Sequence, residues 1–191
     1  MNLIIIFAAN SVVLSSASSE EVTLGNTQAP ITLIEYGSLT CDNCIRFHRS
    51  VFPRLKKHYI DTGKVRFIYR HFPTSEAAVH GALAVDCAGE KSYEMLDELF
   101  LTTADWYQAE DKDRIFVKKA TAFGLNTENY LSCISNKKQL DEIVSQRQAA
   151  KRELYVTGTP TFFINGKIVR GKRTFVEMKT LLGEALNDDN G

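Results

Sequence analysis

Cys41-Asp42-Asn43-Cys44 is the stretch of this sequence with the clearest chemical potential. Two cysteines separated by two residues can close a disulfide when they share the first turn of a helix. The first of the pair then sits over backbone N–H groups that have no intrahelical partner, at the positive end of the helix dipole. Those donors stabilise a thiolate, the species that attacks and leaves in thiol-disulfide exchange. The second thiol is close enough to resolve a mixed disulfide. The same spacing serves zinc sites, but zinc needs two further ligands. Cys87, Cys133 and the four histidines offer no second CxxC and no HxxxH to supply them. A purely structural staple is the other alternative for the pair.

Further candidates lie on either side of it. Glu35 stands six residues before Cys41, at the end of an otherwise apolar run, where ionisation without a partner is costly. A carboxyl buried there could pass protons to or from Cys44. The competing reading is an acid at an exposed strand tip that does nothing. Far downstream, Gly158-Thr159-Pro160-Thr161 puts a proline at the entrance to a strand, a place that suits a cis bond or a sheet edge. Its missing N–H leaves the neighbouring backbone free to pair with another chain. His48 and His80, with apolar neighbours at helical spacing, read as packed or exposed rather than catalytic. Trp106 and Tyr107 could line a peptide groove, though aromatic residues at helix ends more often belong to the core.

The elements that must position these residues follow from periodicity. Ile31 to Tyr36 is a short, nearly all-apolar run, as in a strand buried on both faces of a parallel sheet. From Cys41 to Tyr59, apolar residues recur at three- and four-residue steps. This predicts a helix with Thr40 as N-cap and a kink near Pro53. Val65 to Tyr69 alternates as a second strand, which completes a βαβ unit. Between Ser75 and about Tyr155 only helical segments appear, enough chain for a small core of their own. Sheet signals return at Thr161 to Ile164 and Lys167 to Val169, which flank Asn165-Gly166, a strong hairpin signal. The last segment opens with the capping box Thr174-x-x-Glu177 and carries one apolar face from Phe175 to Leu186.

The bulk properties restrict the partners. The 191 residues carry 23 basic and 23 acidic side chains, so no net field favours nucleic acid or anionic lipid. Residues 1–19 run from an apolar stretch into Ser15-Ser-Ala-Ser-Ser19, the order of a signal peptide and its cleavage region, although no Lys or Arg precedes the stretch. Cleavage there would place the mature chain in an oxidising, extracytoplasmic compartment. Four cysteines split into a close pair and a distant pair suggest one working pair and one possible staple.

Taken in order, Glu35, Cys41-x-x-Cys44 at a helix start, a helical insertion, and Thr159-Pro160 before a Phe-rich strand resemble the DsbA-like thioredoxin-fold oxidoreductases of bacterial envelopes. The resemblance runs from about Val22 to Leu186. It implies an α/β fold: a thioredoxin-like domain of residues 22–74 and 155–187 with an inserted all-helical domain, 75–154. It implies Cys41 as nucleophile, Cys44 as resolving thiol, Glu35 as the buried acid, Pro160 as a cis-proline beside the pair, and Thr159 as the backbone that aligns a substrate strand. Relatives with a bridge in the helical domain support a structural disulfide between Cys87 and Cys133; two free buried thiols are the alternative. One departure stands out, because the strongly oxidising members carry Pro-His where this chain has Asp42-Asn43.

The function so implied is dithiol oxidation of exported, cysteine-containing proteins, with reoxidation by a membrane redox partner and no cofactor or metal. An isomerase or reductase is the alternative within the class. Such proteins usually oligomerise through an added N-terminal segment, and the short stretch before the first strand favours a monomer. A peptide- or copper-binding envelope protein without turnover is the alternative outside it.

Overall fold

The structure is a computed structural model that describes residues 21–188; the expected signal peptide lies outside them. Five strands form one mixed sheet: β1 (Val22–Leu24), β2 (Ile31–Gly37), β3 (Val65–His71), β4 (Thr161–Ile164) and β5 (Lys167–Arg170), in the spatial order β1-β3-β2-β4-β5. Only β2 and β3 run parallel. The crossover between them contains α1 (Asp42–Ser50), α2 (Phe52–Leu55) and a π-turn over Lys56–Ile60. Six helices are then inserted before β4: α3 (Glu76–Asp86), α4 (Ser92–Leu101), α5 (Thr103–Trp106), α6 (Lys112–Ala122), α7 (Thr127–Ile134) and α8 (Lys137–Glu153). The closing helix is α9 (Phe175–Asp188). This is a thioredoxin-type fold with a helical insertion.

Side chains alternate across a strand, so parity sorts the sheet residues between two cores. Ile31, Leu33, Val65, Phe67, Tyr69, Phe162 and Ile164 pack on one face with Phe47 of α1, Phe100 of α4 and Met178 of α9. Ile34, Tyr36, Ile68 and Phe163 pack on the other with Phe72, Ala150 and Val156. Glu35 has the parity of Ile31 and Leu33. It therefore enters the larger core, in register with Tyr69 on one side and Phe162 on the other.

One expectation about the first helix needs correction. The N-cap is Cys41 rather than Thr40, because the turn closed by Cys41 N–H to Ser38 O (3.1 Å) puts the helix boundary one residue later. The Thr40 hydroxyl instead bonds that of Ser75 at 2.9 Å. The irregularity expected at Pro53 is present, with Val51 alone, still right-handed at φ −106° and ψ −49°, between two helical stretches. Lacking an N–H, Pro53 leaves α1 to end at Ser50, and the chain resumes as α2 and then the π-turn, closed by Asp61 N–H to Lys56 O at 2.8 Å. At the hairpin, Asn165 and Gly166 take φ of 45° and 83°, the left-handed pair that a two-residue turn between twisted strands requires. The capping box also forms, with Glu177 accepting from Thr174 N–H at 2.7 Å while Thr174 Oγ1 accepts from Glu177 N–H at 3.2 Å.

Candidate active site

The junction of β2 and α1 places the two thiols in unlike surroundings. Cys41, at the N-cap, is partly exposed; Cys44, one turn in, is fully buried. Both are free, so the structure is that of the dithiol. The loop carrying them is tied to the start of α3 by Ser38 Oγ to Thr74 Oγ1 and by Thr40 Oγ1 to Ser75 Oγ, each 2.9 Å. Across the site, the Cys41 thiol donates to the Thr159 carbonyl at 3.3 Å. The peptide between Thr159 and Pro160 is cis. Thr161 then leads into β4, paired opposite Tyr36.

These surroundings drive the thiols apart. A hydrogen bond from the Cys44 thiol lowers the Cys41 pKa most, with the Thr159 side chain and the backbone N–H groups of Cys44 and Asn43 assisting against partial desolvation. The result is a thiol at about 5. Cys44 moves upward, first because burial penalises its thiolate, then because of Cys41 and the charge of Glu35. At neutral pH the pair is therefore a thiolate beside a thiol.

Glu35 is fully buried, which excludes the exposed strand tip. Its Oε2 lies 3.0 Å from Nε2 of His48, itself only 1% exposed. The sequence reading missed this partner. His48 is packed, as its apolar neighbours suggested, but it is packed onto the carboxyl. The signal available was its position four residues after Cys44, which puts both on one helical face. The imidazole stacks on Phe100 with 3.9 Å between centroids and an 8° interplanar angle, and meets Tyr69 edge-on. Glu35 Oε1 and the Tyr69 hydroxyl are buried and have no hydrogen-bond partner.

The remaining candidates fall away from the thiol pair. Cys87 and Cys133 are bonded to each other, with S–S 2.03 Å and Cα–Cα 5.8 Å, and so are not ligands to a metal shared with the CxxC. Trp106 is core: it is fully buried and donates from Nε1 to Leu99 O at 2.9 Å. Tyr107 is exposed. His80 lines a cleft of about 420 Å³ with Glu76, Glu110 and Asp113 that contains neither redox thiol. A thiol at a partly open junction suits an extended protein strand better than an enclosed small molecule.

Such a site, on a sheet of this topology, defines a thioredoxin-type dithiol protein, and comparison with known proteins agrees. A sequence-family model described as Thioredoxin matches residues 17–184. The crystal structure of Wolbachia pipientis alpha-DsbA1 superposes with a TM-score of 0.81 at 31% identity, over 89% of this chain and 92% of that one. Oxidised BdbD from Bacillus subtilis shares the fold, with a TM-score of 0.78 at 21% identity, over 87% and 93% of the two chains. A Rickettsia conorii protein named as a protein-disulfide oxidoreductase is 28% identical over 170 residues, 88% of this chain. The present chain spans 61% of that relative's length. The chain thus belongs to the thioredoxin family, among its DsbA-like members.

Proposed function

We propose that this protein is a dithiol oxidase that donates its Cys41–Cys44 disulfide to exported proteins, as a monomer in the bacterial envelope. The observation that carries the reading is the contrast between an acidic, accessible Cys41 and a buried Cys44 whose thiolate is disfavoured. Stabilising the thiolate stabilises the reduced form, and a stable reduced form makes the disulfide a ready oxidant.

A substrate thiolate attacks Cys41 Sγ; the Cys41–Cys44 bond breaks, and its electron pair leaves on Cys44, which takes up a proton. Glu35 is the acid that supplies it. A second substrate thiolate then attacks the substrate sulfur of the mixed disulfide and expels Cys41 as a thiolate, a good leaving group because of its low pKa. The substrate has lost two electrons and gained a disulfide. The half-buried Thr159, whose carbonyl meets Cys41 Sγ, offers main chain to the substrate strand beside that thiol. Return to the disulfide form requires an electron acceptor, assigned here to a membrane redox partner. The Cys87–Cys133 bond supports an oxidising compartment, where such bonds persist.

The test is to mix the disulfide form with a reduced peptide carrying two cysteines, and separately with a scrambled-disulfide protein. An oxidase consumes two peptide thiols for each of its own disulfides and leaves the scrambled protein largely unchanged. Rearrangement of the scrambled protein without net thiol loss would instead mark an isomerase, and inertness in both assays a binding protein.

A further inference from the structure

Glu35 and His48 place a carboxyl and an imidazole together in the core, 0% and 1% exposed. The ring is held from several sides: stacked by Phe100, tilted against Phe52, and met edge-on by Phe47 and Tyr69. It has little rotational freedom, so the hydrogen bond to Oε2 has a fixed direction. His48 also rides on the same helix and the same face as Cys44, which makes thiol and imidazole parts of one rigid body. The other carboxyl oxygen, Oε1, has no partner, and the charge of Glu35 acts on the Cys44 thiol.

We propose that His48 is the positioning residue for proton transfer at Cys44, gripping Glu35 by Oε2 and sharing one proton with it, so that the unbonded Oε1 can hand a proton to the thiol through an intervening water. The proposal deepens the oxidoreductase reading above and rests on it. When the Cys41–Cys44 bond breaks, one proton passes from the Glu35–His48 pair to the Cys44 thiolate. The pair is left with one negative charge, and a proton from solvent restores it. No net charge is created in the core, because the charge gained by the pair is lost from Cys44. The titratable groups facing the pair are Cys41 and Cys44 at the α1 end, Tyr69 on β3 and Asp97 on α4, whose carboxyl feels His48. Asp86, bonded to His71 at 3.1 Å, acts on Tyr69.

The experiment follows attack of a dithiol peptide on the disulfide form of the full chain, from pH 5 to 8, for wild type, His48→Gln, Glu35→Gln and the double variant. Gln keeps a donor for Glu35 but cannot carry the proton. His48→Gln is expected to slow the step about tenfold and to move the pH at which its rate turns. Alkylation of Cys41 in the reduced protein should stay as in wild type. Added to Glu35→Gln, the same change should cost nothing more, since His48 acts only through Glu35. An unmoved pH profile, or equal losses on both backgrounds, overturns the proposal. Should His48→Gln fail to fold, nuclear magnetic resonance of the wild type decides: the Glu35 carboxyl carbon and the His48 ring nitrogens should titrate in one shared step, and independent steps overturn it. A wild type that does not oxidise the peptide refutes the oxidase reading, while the resonance measurement still judges the pair.

Discussion

The acidity of Cys41 makes the reduction potential bend with pH in a way that can be worked out beforehand. Below about pH 5 the reduced pair holds two protons, and above it one, because Cys41 is then a thiolate while Cys44 stays protonated. A depressed thiol pKa stabilises the reduced form above that value, and the stabilisation is lost as pH falls through it. Glutathione, with ordinary thiols, takes two protons for two electrons throughout the range. The equilibrium constant for oxidising glutathione should therefore be flat below about pH 5 and rise about tenfold per pH unit above it, which is about 30 mV per unit for a two-electron couple. Between that pH and neutrality the full effect would be about 2.7 kcal/mol; Cys41 is partly exposed, and solvent screening moves the bend to higher pH without changing the slope, which leaves about 1–2 kcal/mol at neutrality. The assay equilibrates the protein anaerobically in glutathione buffers from pH 4 to 8, traps free thiols with a maleimide polymer and reads the fraction reduced on a gel. An equilibrium constant that is flat from pH 5.5 to 8 would mean that Cys41 is an ordinary thiol, and the oxidase argument would fail with it.

Three further outcomes follow from the same geometry. Cys44→Ala removes the largest contribution to Cys41 acidity, so the iodoacetamide rate profile of Cys41 should move from about 5 toward the ordinary 9.0 by more than one pH unit. Replacing both Cys87 and Cys133 with Ala opens a bridge between residues 46 apart and should cost about 4 kcal/mol, less any strain, in denaturant melts, with peptide oxidation retained. Gly37→Ala would put a Cβ 2.5 Å from Tyr69 Cε2 and 2.9 Å from its hydroxyl, in a ring position that is fully buried, and should destabilise by about 1–3 kcal/mol in the same melts.

What the sequence made legible was local. The period of Ile31 to Tyr36, the hairpin at Asn165-Gly166 and the capping box at Thr174 each involve neighbours along the chain, and each element lies where its pattern placed it. The three residues of β1 were not legible, because Val22-Thr23-Leu24 is too short to show a period and its pairing with β3 is a long-range choice. The short α5 and the π-turn escaped for a similar reason. Glu35–His48 was illegible as a pair although each residue drew attention. Recognising it requires the parity of β2, the face of α1 and the distance between them at once.

That dependence on distant chain explains why the helical insertion belongs to the chemistry. Cys41 owes part of its acidity to its own helix start, but the Thr159 contact comes from 118 residues away. The chain between them passes through the insertion, whose α4 supplies Phe100 as the stacking platform of His48. Arg49, the neighbour of His48, donates to the carbonyls of Phe100 and Leu101 at 3.1 and 2.8 Å, satisfying the C-terminal end of α4 and locking it against α1. Tyr130 of α7 donates to Ala84 O at 2.8 Å, and the Cys87–Cys133 bridge fastens α7 to the end of α3. The insertion thus forms the back wall of the Glu35 site, while the β4 end supplies its rim. The difference in proton affinity between the two thiols is built from residues on either side of the insertion, Glu35, Ser38 and Asn43 before it and Thr159 after it, while the insertion holds the ring of His48 against Glu35.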